Sequence, residues 1–512
     1  MARTNVSSGN FTFKPTANLQ EPQVKRSAAG AFHIAIIGDF SGRGSRGEGD
    51  IQSLSNRKVI AVDRDNLEQV FSQLKVSLRT PFSEADLDFH EFDSLHPDYL
   101  LEHLDLFSKF NTLKNRLKKP DQFAAIVAEM QALKIYPDEQ SASVQGANLS
   151  KNPVAHAAMS EAASGNNTLD AILAGAQLQQ NTCSDIGDIN QYIKQLVAPY
   201  AQAKADPRLP EMLNAVNEAM AQILRDLMHN SAFQELEANW RGLDFLTRRI
   251  ETNANVKLFM IDATRDELIQ DALAHDDIED SAFYKRIVSS YQVPGKIHCS
   301  CLQVNLTLTT ALDDLHLAFN LAHMAAATGA IALMAGSESL AGCASLAGQP
   351  EVADWRQPPA EEFSSAWKMF RESELSRYIA LVSPRFLLRL PYGKKTSPID
   401  TFDFSELPET HNHHYYLWGN SAHLVTLILA NNFLQFGANA NTKIASEIDE
   451  LPLHTYQDDM DFTLKPCAEI LVTDSAVRQL EASGLLVVRS IQGKAAVQIP
   501  ALRTVSGQII FS

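Results

Sequence analysis

One glycine-rich segment of this 512-residue chain has the spacing of a dinucleotide-binding loop. Gly42–Gly47, GRGSRG, matches GxGxxG, follows an apolar run typical of a strand, and is followed about twenty residues later by Asp63 and Asp65. Pyrophosphate binding also needs a helix that begins at the third glycine. Here EGDIQSLSNRKVIAV follows and predicts a loop and a second strand. We therefore predict a flexible connection, and a nucleotide-binding α/β enzyme is the weaker alternative.

Two groups of possible metal ligands occur in the sequence. Cys299 and Cys301 lie in HCSCLQVNLTL, whose alternation predicts two cysteines on one face of a strand. His411, His413 and His414 lie in HNHHYYLWG, where adjacent histidines of an extended chain point to opposite faces. A zinc site needs three or four ligands at chelating intervals, which neither group supplies. We expect no metal and no other cofactor.

Motifs of known catalytic mechanisms do not occur in the sequence. It contains no GxSxG, HExxH or GxxxxGK[ST] segment. Paired carboxylates, such as Asp449 with Glu450 and Glu361 with Glu362, are expected on solvated faces. The prediction is a protein with no catalytic residues that is not an enzyme.

Basic residues interrupt an apolar segment at Ser383–Phe404, SPRFLLRLPYGKKTSPIDTFDF. Arg385, Arg389, Lys394 and Lys395 stand out because the chain has 44 Lys and Arg against 61 Asp and Glu, a net charge of −17. Such arginines either pair with buried carboxylates or meet an acidic neighbour at an interface, and the pattern leaves both open. The net charge argues against nucleic acid or anionic lipid as a partner.

Hydrophobic patterns predict an α/β (α+β) chain made of two α/β units joined by a flexible linker and helices. Residues 1–30 are expected to be a flexible arm, 31–135 the first unit, 136–187 a linker with a short helix, and 188–512 the second unit. Strands are expected at FHIAIIGDF, RKVIAVD, VKLFMID and HCSCLQVNLTL. Asp65 is expected to cap a helix that follows RKVIAVD.

The most membrane-like stretch, Ala318–Gly336, is rich in alanine and contains Asn320 and His323. It predicts a packed helix ending near Gly329 and then a short strand, and no membrane insertion. The N-terminus has no apolar signal segment, and five widely spread cysteines fit a reducing compartment. A cytoplasmic location is predicted.

Four segments of the second unit resemble TssC, also called VipB, the large subunit of the type VI secretion contractile sheath. They are NSAFQELEANWRGLDFL (Asn230–Leu246), WKMFRESELSRYIALVSPRFLLRLPYGKKTSPIDTFDF (Trp367–Phe404), YYLWGNSAHLVTLILANNFLQFG (Tyr415–Gly437) and AEILVTDSAVRQLEASGLLVV (Ala468–Val488). The TssC family continues through a further helical C-terminal segment, whereas this chain ends at GQIIFS. The second unit thus resembles a C-terminally shortened large subunit.

The first unit resembles the small sheath subunit, TssB or VipA. The likeness is carried by FHIAIIGDFSGR (Phe32–Arg43), RKVIAVDRDNLEQVFSQL (Arg57–Leu74) and FHEFDSLHPDYLLEHLDLFSKFNTLKNRLK. Together the two likenesses indicate a fusion of a small with a large sheath subunit.

This resemblance implies a structural component of the bacterial sheath that polymerises around an inner tube and stores energy for contraction. The implied partners are the chain itself, TssB, TssC, the inner-tube protein Hcp, baseplate components and the recycling ATPase ClpV. TLDAILAGAQL, with Leu169, Ile172 and Leu173, resembles the helix that ClpV recognises. The alternative is an accessory, capping or regulatory factor that binds sheath subunits without polymerising.

Eight residues in the resembling segments are predicted at interfaces between subunits. They are Trp240, Arg241, Arg371, Glu372, Arg377, Arg385, Arg389 and Trp418. The alternative places them in the core or in salt bridges within the chain, above all the two tryptophans, since aromatic residues at helical spacing usually pack. Charge reversal at Arg389 separates the alternatives, because an interface residue loses assembly whereas a core residue loses folding.

Overall fold

The computed structural model describes residues 7–8, 11–12, 31–83, 85–119, 208–289, 299–408, 412–437, 447–458 and 461–510. The predicted linker at 136–187 lies outside these residues, as does most of the predicted arm. The chain forms two compact units, one of Met1–Phe107 with Ala221–Ser512 and the other of Ser108–Met220.

Eighteen strands are formed by the described residues. They are β1 Ser7–Ser8, β2 Phe11–Thr12, β3 Phe32–Gly38, β4 Val59–Val62, β5 Val76–Leu78, β6 Leu87–Phe89, β7 Val256–Asp262, β8 Cys299–Leu308, β9 Ile331–Gly336, β10 Ile379–Ser383, β11 Phe386–Leu387, β12 Trp418–Gly419, β13 Glu447–Ile448, β14 His454–Asp458, β15 Asp461–Lys465, β16 Leu485–Val487, β17 Arg489–Ser490 and β18 Val497–Gln498.

Twelve α-helices accompany them. They are α1 Arg43–Arg46, α2 Leu67–Leu74, α3 Pro97–His103, α4 Asp105–Leu117, α5 Leu209–Met228, α6 Ser231–Arg249, α7 Arg265–Ala274, α8 Ala282–Tyr284, α9 Leu312–Thr328, α10 Glu361–Glu372, α11 Ala422–Phe436 and α12 Asp474–Ala482.

A seven-stranded sheet runs through the larger unit in the order β16-β10-β9-β8-β3-β7-β4. Its strands are parallel except β4, which is antiparallel to β7 at one edge. The predicted α/β class is confirmed. Strand β3 pairs with β7 from Phe32 opposite Val256 to Gly38 opposite Asp262, and its other edge pairs with β8. Strands from both predicted units therefore share one sheet.

Both faces of this sheet are covered, which explains why its strands read as continuous apolar runs. Ala35 and Ile37 of β3 belong to a core that includes residues of α7, α9, α10 and α12. The alternate residues Ile34 and Ile36 point to the opposite face, where α11 contacts β3, β7, β8 and β9. All four side chains have no exposed surface.

Local signals in the sequence set several helix ends. Asn230 caps α6 by accepting hydrogen bonds from the N–H groups of Ala232 and Phe233. Helix α9 ends at Gly329, as predicted, with φ of 69°. The predicted cap at Asp65 is wrong, because the Asp63 carboxylate accepts from the main chain in the turn before α2, including the Asp65 N–H.

The alanine-rich segment predicted to be a packed helix is α9, and within the described residues no helix combines the length and apolarity that crossing a membrane requires.

Helix α6 crosses α11 at a position where only glycine fits. A Cβ on Gly242 would lie inside van der Waals contact distance of the His423 ring, which is 1% exposed and has no room to move. We expect Gly242→Ala to lower the free energy of unfolding by about 2 kcal/mol or more, despite the better helix propensity of alanine. Urea denaturation of the full chain measures this.

The matched control is Gly348→Ala, whose Cβ would make only ordinary contacts with Ser345. Its expected change is within about 0.5 kcal/mol. Equal effects of the two substitutions would show that the α6–α11 crossing is not tightly packed.

Candidate functional site

The Gly42–Gly47 loop is tied to a carboxylate rather than open to a phosphate. The Asp39 side chain accepts hydrogen bonds from the N–H groups of Arg43 at 3.0 Å and Gly44 at 2.7 Å. Main-chain N–H groups of this kind would bind a pyrophosphate in a dinucleotide site, and here an internal anion occupies them. Helix α1, Arg43–Arg46, is a single turn inside this loop and does not begin at the third glycine. The loop is therefore fixed, and the predicted flexible connection is wrong.

Buried ion pairs connect this loop to β7 and α7. Arg43 binds Asp262 through Nε at 3.1 Å and Glu267 through Nη1 at 2.7 Å, and Arg57 binds Glu267 at 2.8 Å. Burial opposes ionisation of Glu267, but the hydrogen bonds from Arg43 and from main-chain N–H groups hold the pKa of its carboxyl at about 2. The Glu267 side chain is fully buried, so these contacts act at low dielectric.

Trp240 of α6 packs against the N-terminal segment. Its indole Nε1–H donates to the carbonyl of Phe40 at 2.7 Å, and its ring centroid lies 4.5 Å from that of Phe71. The side chain has no exposed surface. Trp240 thus contributes to the core between sequence segments that resemble different sheath subunits.

Arg389 lies in a buried network with two carboxylates. It donates to Glu237 through Nε at 2.8 Å and to Glu406 through Nη1 at 2.8 Å, and its guanidinium lies 4.4 Å from the Tyr392 ring. Arg241 completes the network, with Nε 2.6 Å from Glu237 and Nη2 3.1 Å from the Tyr392 hydroxyl. The two carboxylates are 0% and 1% exposed.

Electrostatics in this network keep Glu237 ionised. Burial alone would raise its pKa, but Arg389 and Arg241 hold the pKa of its carboxyl at about 2. His229 lies nearby, and burial together with Arg389 lowers its pKa to about 4. Its imidazole is therefore neutral at pH 7 and adds no positive charge. Among the groups named here, two arginines neutralise two buried carboxylates.

A cavity of about 400 Å³ opens beside the network. Its lining includes Arg241, Arg389, His96 and Asp93. Both arginines already bind carboxylates on their protein side, so an incoming anion would meet cations whose charge is largely compensated. Nothing in this lining provides a nucleophile with an adjacent base.

Arg385 and Trp418 belong to a second cluster, centred on Glu469. Arg385 Nε lies 2.9 Å from Glu469, His413 Nε2 lies 3.0 Å from the same carboxylate, and the Nδ1 atom of His413 is 2.7 Å from Lys465 Nζ. The Trp418 indole donates to the His413 carbonyl at 2.8 Å. His413, which sequence analysis considered as a metal ligand, has both ring nitrogens engaged by charged side chains.

The remaining three predicted residues lie near the end of α10. Arg371 is half-buried and donates to main-chain carbonyls, whereas Glu372 and Arg377 are exposed. The Arg377 guanidinium lies 5.1 Å from the Tyr378 ring. The interface role of all eight residues stays a prediction. In this chain Arg241, Arg371, Arg385 and Arg389 have charged side-chain or main-chain partners, and Trp240 and Trp418 are buried.

Other predicted residues lie elsewhere. Leu169, Ile172, Leu173 and His411 are outside the described residues. Cys299 and Cys301 lie two residues apart in β8 as predicted. Across the described part of the chain, no three His, Cys, Asp or Glu side chains are grouped as metal ligands would be.

Sequence analysis missed the carboxylates Glu237, Glu406 and Glu469. Glu237 and Glu469 bind arginines far away in the sequence, Arg389 and Arg385, and no local spacing indicates such pairs; only the pair of Glu237 with Arg241 has helical i,i+4 spacing. The sequence did show the other member of each pair, because arginines in an apolar segment indicate either buried carboxylates or an acidic neighbour.

Comparisons with known proteins give two family matches. The model described as "EvpB/VC_A0108, tail sheath N-terminal domain" (VipB) matches residues 210–505, more than half of the chain, and "Type VI secretion system, VipA, VC_A0107 or Hcp2" matches residues 23–133. The type VI secretion system sheath protein TssC1 of Pseudomonas aeruginosa is 29% identical over 267 residues, which cover 51% of this chain and 54% of that protein. The chain thus aligns with about half the length of this relative. The predicted resemblance to both sheath subunits is confirmed.

Replacing Arg389 tests whether the buried network stabilises the fold. Arg389→Met would leave Glu237 and Glu406 buried without their shared cation, and we expect a loss of about 3–5 kcal/mol in the free energy of unfolding. Arg389→Glu would bury three carboxylates together, and we expect it not to fold. Circular dichroism and urea denaturation give both results.

Arg248→Met is the matched control, because the pair of Arg248 with Asp244 is exposed on α6. Its expected cost is below about 1 kcal/mol. A folded Arg389→Glu chain that no longer assembles would contradict the structural role and favour an interface.

Proposed function

We propose that this chain, which belongs to the VipB family of type VI secretion tail sheath proteins, is a structural subunit of a contractile sheath. The observation that carries the proposal is the sheet order, in which β3 of the VipA-matching segment lies between β7 and β8 of the VipB-matching segment. Segments that match both sheath families thereby contribute strands to one sheet of the larger unit.

The proposed role requires no chemistry. In the cavity beside the Arg389 network, both lining arginines are engaged by the buried carboxylate of Glu237. Energy for contraction would be stored in the contacts between subunits, whose packing has two alternative arrangements related by rigid-body rotation.

The proposed partners follow from this role. They are further copies of the chain, separate TssB and TssC subunits, the inner-tube protein Hcp and the baseplate, with ClpV as the recycling ATPase. The proposed location is the bacterial cytoplasm, where a sheath would be assembled around its tube.

Electron microscopy of the purified full-length chain tests the proposal. The chain is imaged alone and then mixed with a TssB and TssC pair from the same cell. We expect helical tubes or rings from the chain alone, or its incorporation into sheaths formed by the pair. The control is the TssB and TssC pair without the chain.

A chain that stays monomeric and joins no sheath would contradict the proposal. A chain that binds the pair but prevents tube growth would instead favour the accessory or capping role.

A further inference from the structure

Arg371, at the end of α10, is a half-buried cation that no described carboxylate neutralises. Its Nε donates to the Val505 carbonyl at 3.3 Å and its Nη1 to the Ala482 carbonyl at 2.7 Å. No ion pair within 4 Å involves it in the described part of the chain. Burial lowers the pKa of Arg371 from its ordinary value, and no nearby charge opposes this. The two carbonyls fix the guanidinium but leave its charge uncompensated.

A cavity of about 460 Å³ lies over this guanidinium. Its lining consists of Trp367, Lys368, Arg371, Glu372, Val505 and Ser506. The Trp367 indole is fixed by a hydrogen bond to the Ser483 carbonyl at 3.1 Å. Lys368 is exposed at the rim and Glu372 is the one carboxylate of the lining, so the cavity has a net positive charge in a chain of net charge −17. Its chemistry suits an acidic segment of a protein.

An acidic segment of this chain is exposed after α7. Residues 276–280 read DDIED, and the four carboxylates of Asp276, Asp277, Glu279 and Asp280 are exposed. Only Asp280 has a described ion pair, an exposed one with Lys285 at 3.5 Å. The Asp277 side chain accepts from the Glu279 N–H and so fixes the backbone of the segment.

The basic cavity and the acidic segment lie at the same end of the sheet. Helix α7 leaves the carboxyl end of β7, and its ten residues span about 15 Å, which returns the chain to the amino ends of the strands. Arg371 binds Val505, whose N–H donates to Ile379 at the start of β10. Strands β9, β8 and β3 separate β10 from β7, a distance of roughly 19 Å across the sheet. The Arg371 cavity and the acidic segment 276–280 are therefore separate surfaces of the larger unit.

We propose that the Arg371 cavity of one copy receives the acidic segment 276–280 of the next copy. Made once between each pair of copies, this contact is heterologous and repeats head to tail into rings or helical filaments, whereas a reciprocal pair of the same contacts would close a dimer. The inference rests on the proposed sheath function and names the contact through which copies would meet. The opposite charges also orient the approach of the two copies.

The test reverses one charge on each side of the contact. Lys368→Glu is chosen over any Arg371 variant, because Arg371 holds two main-chain carbonyls whereas Lys368 is exposed without a described partner. Glu279→Lys is its counterpart. Lys58→Glu changes the net charge equally, from an exposed position just before β4, and is the matched control.

Sedimentation velocity of the full chain at low salt measures the concentration at which assembly is half complete. We expect Lys368→Glu and Glu279→Lys each to raise this concentration about fivefold, the double variant to return to within about twofold of the wild type, and Lys58→Glu to change it by less than about twofold. Thermal unfolding of each variant is expected to match the wild type.

Any of the following outcomes would overturn the inference. If the wild type assembles and Lys368→Glu behaves like Lys58→Glu, the contact lies elsewhere and the sheath function stands. If both single variants weaken assembly and the double variant does not recover, the two surfaces do not meet. If the wild type is monomeric alone but enters sheaths with TssB and TssC, the partner is not a second copy, and only failure there too removes the proposed function.

Discussion

Strand β3 is hydrogen-bonded along both edges to strands that come from the far side of the predicted linker, and the rest of the larger unit depends on this pairing. Without β3, the facing edges of β7 and β8 would present unpaired main-chain groups inside a buried sheet, at a cost of about 1–3 kcal/mol for each group left unsatisfied. The residues Ile34 to Ile37 also fill both core layers. Strand β3 of the VipA-matching segment is thus an interior part of the fold, which no rearrangement of the surface could replace.

Buried ion pairs also connect the N-terminal segment to the helices that follow the predicted linker. Arg43 and Arg57 of the N-terminal segment bind Glu267 of α7, and Trp240 of α6 donates to the main chain at Phe40. Such ion pairs are weak evidence for stability by themselves, because desolvation offsets much of their attraction, but breaking one leaves a buried charge without its partner. Loss of Arg43 or Arg57 would therefore cost more than the intact pair contributes to the free energy of folding.

The sequence predicted the elements well where periodicity and caps were strong. The expected strands at FHIAIIGDF and VKLFMID correspond to β3 and β7, and the helix ending near Gly329 is α9. It did not reveal that the two units share a sheet, because an interior parallel strand carries no signal of which distant strands flank it. The same limit applies to Glu237 and Arg389, which are far apart in the chain and meet only after folding. The glycine loop was misjudged because Asp39, the carboxylate that fixes it, was not considered as a ligand for its N–H groups.

Cutting the chain between the two matched segments tests most directly whether they form one body. A protease site is placed after Ser150, within the predicted linker, and the folded protein is cleaved and examined by gel filtration and thermal unfolding. Since β3 is an interior strand, the two fragments should elute together at the position of the intact chain, and the thermal unfolding curve of the cleaved protein should show no transition that the intact chain lacks. Fragments that separate under native conditions, each with its own folded structure, would contradict the shared sheet.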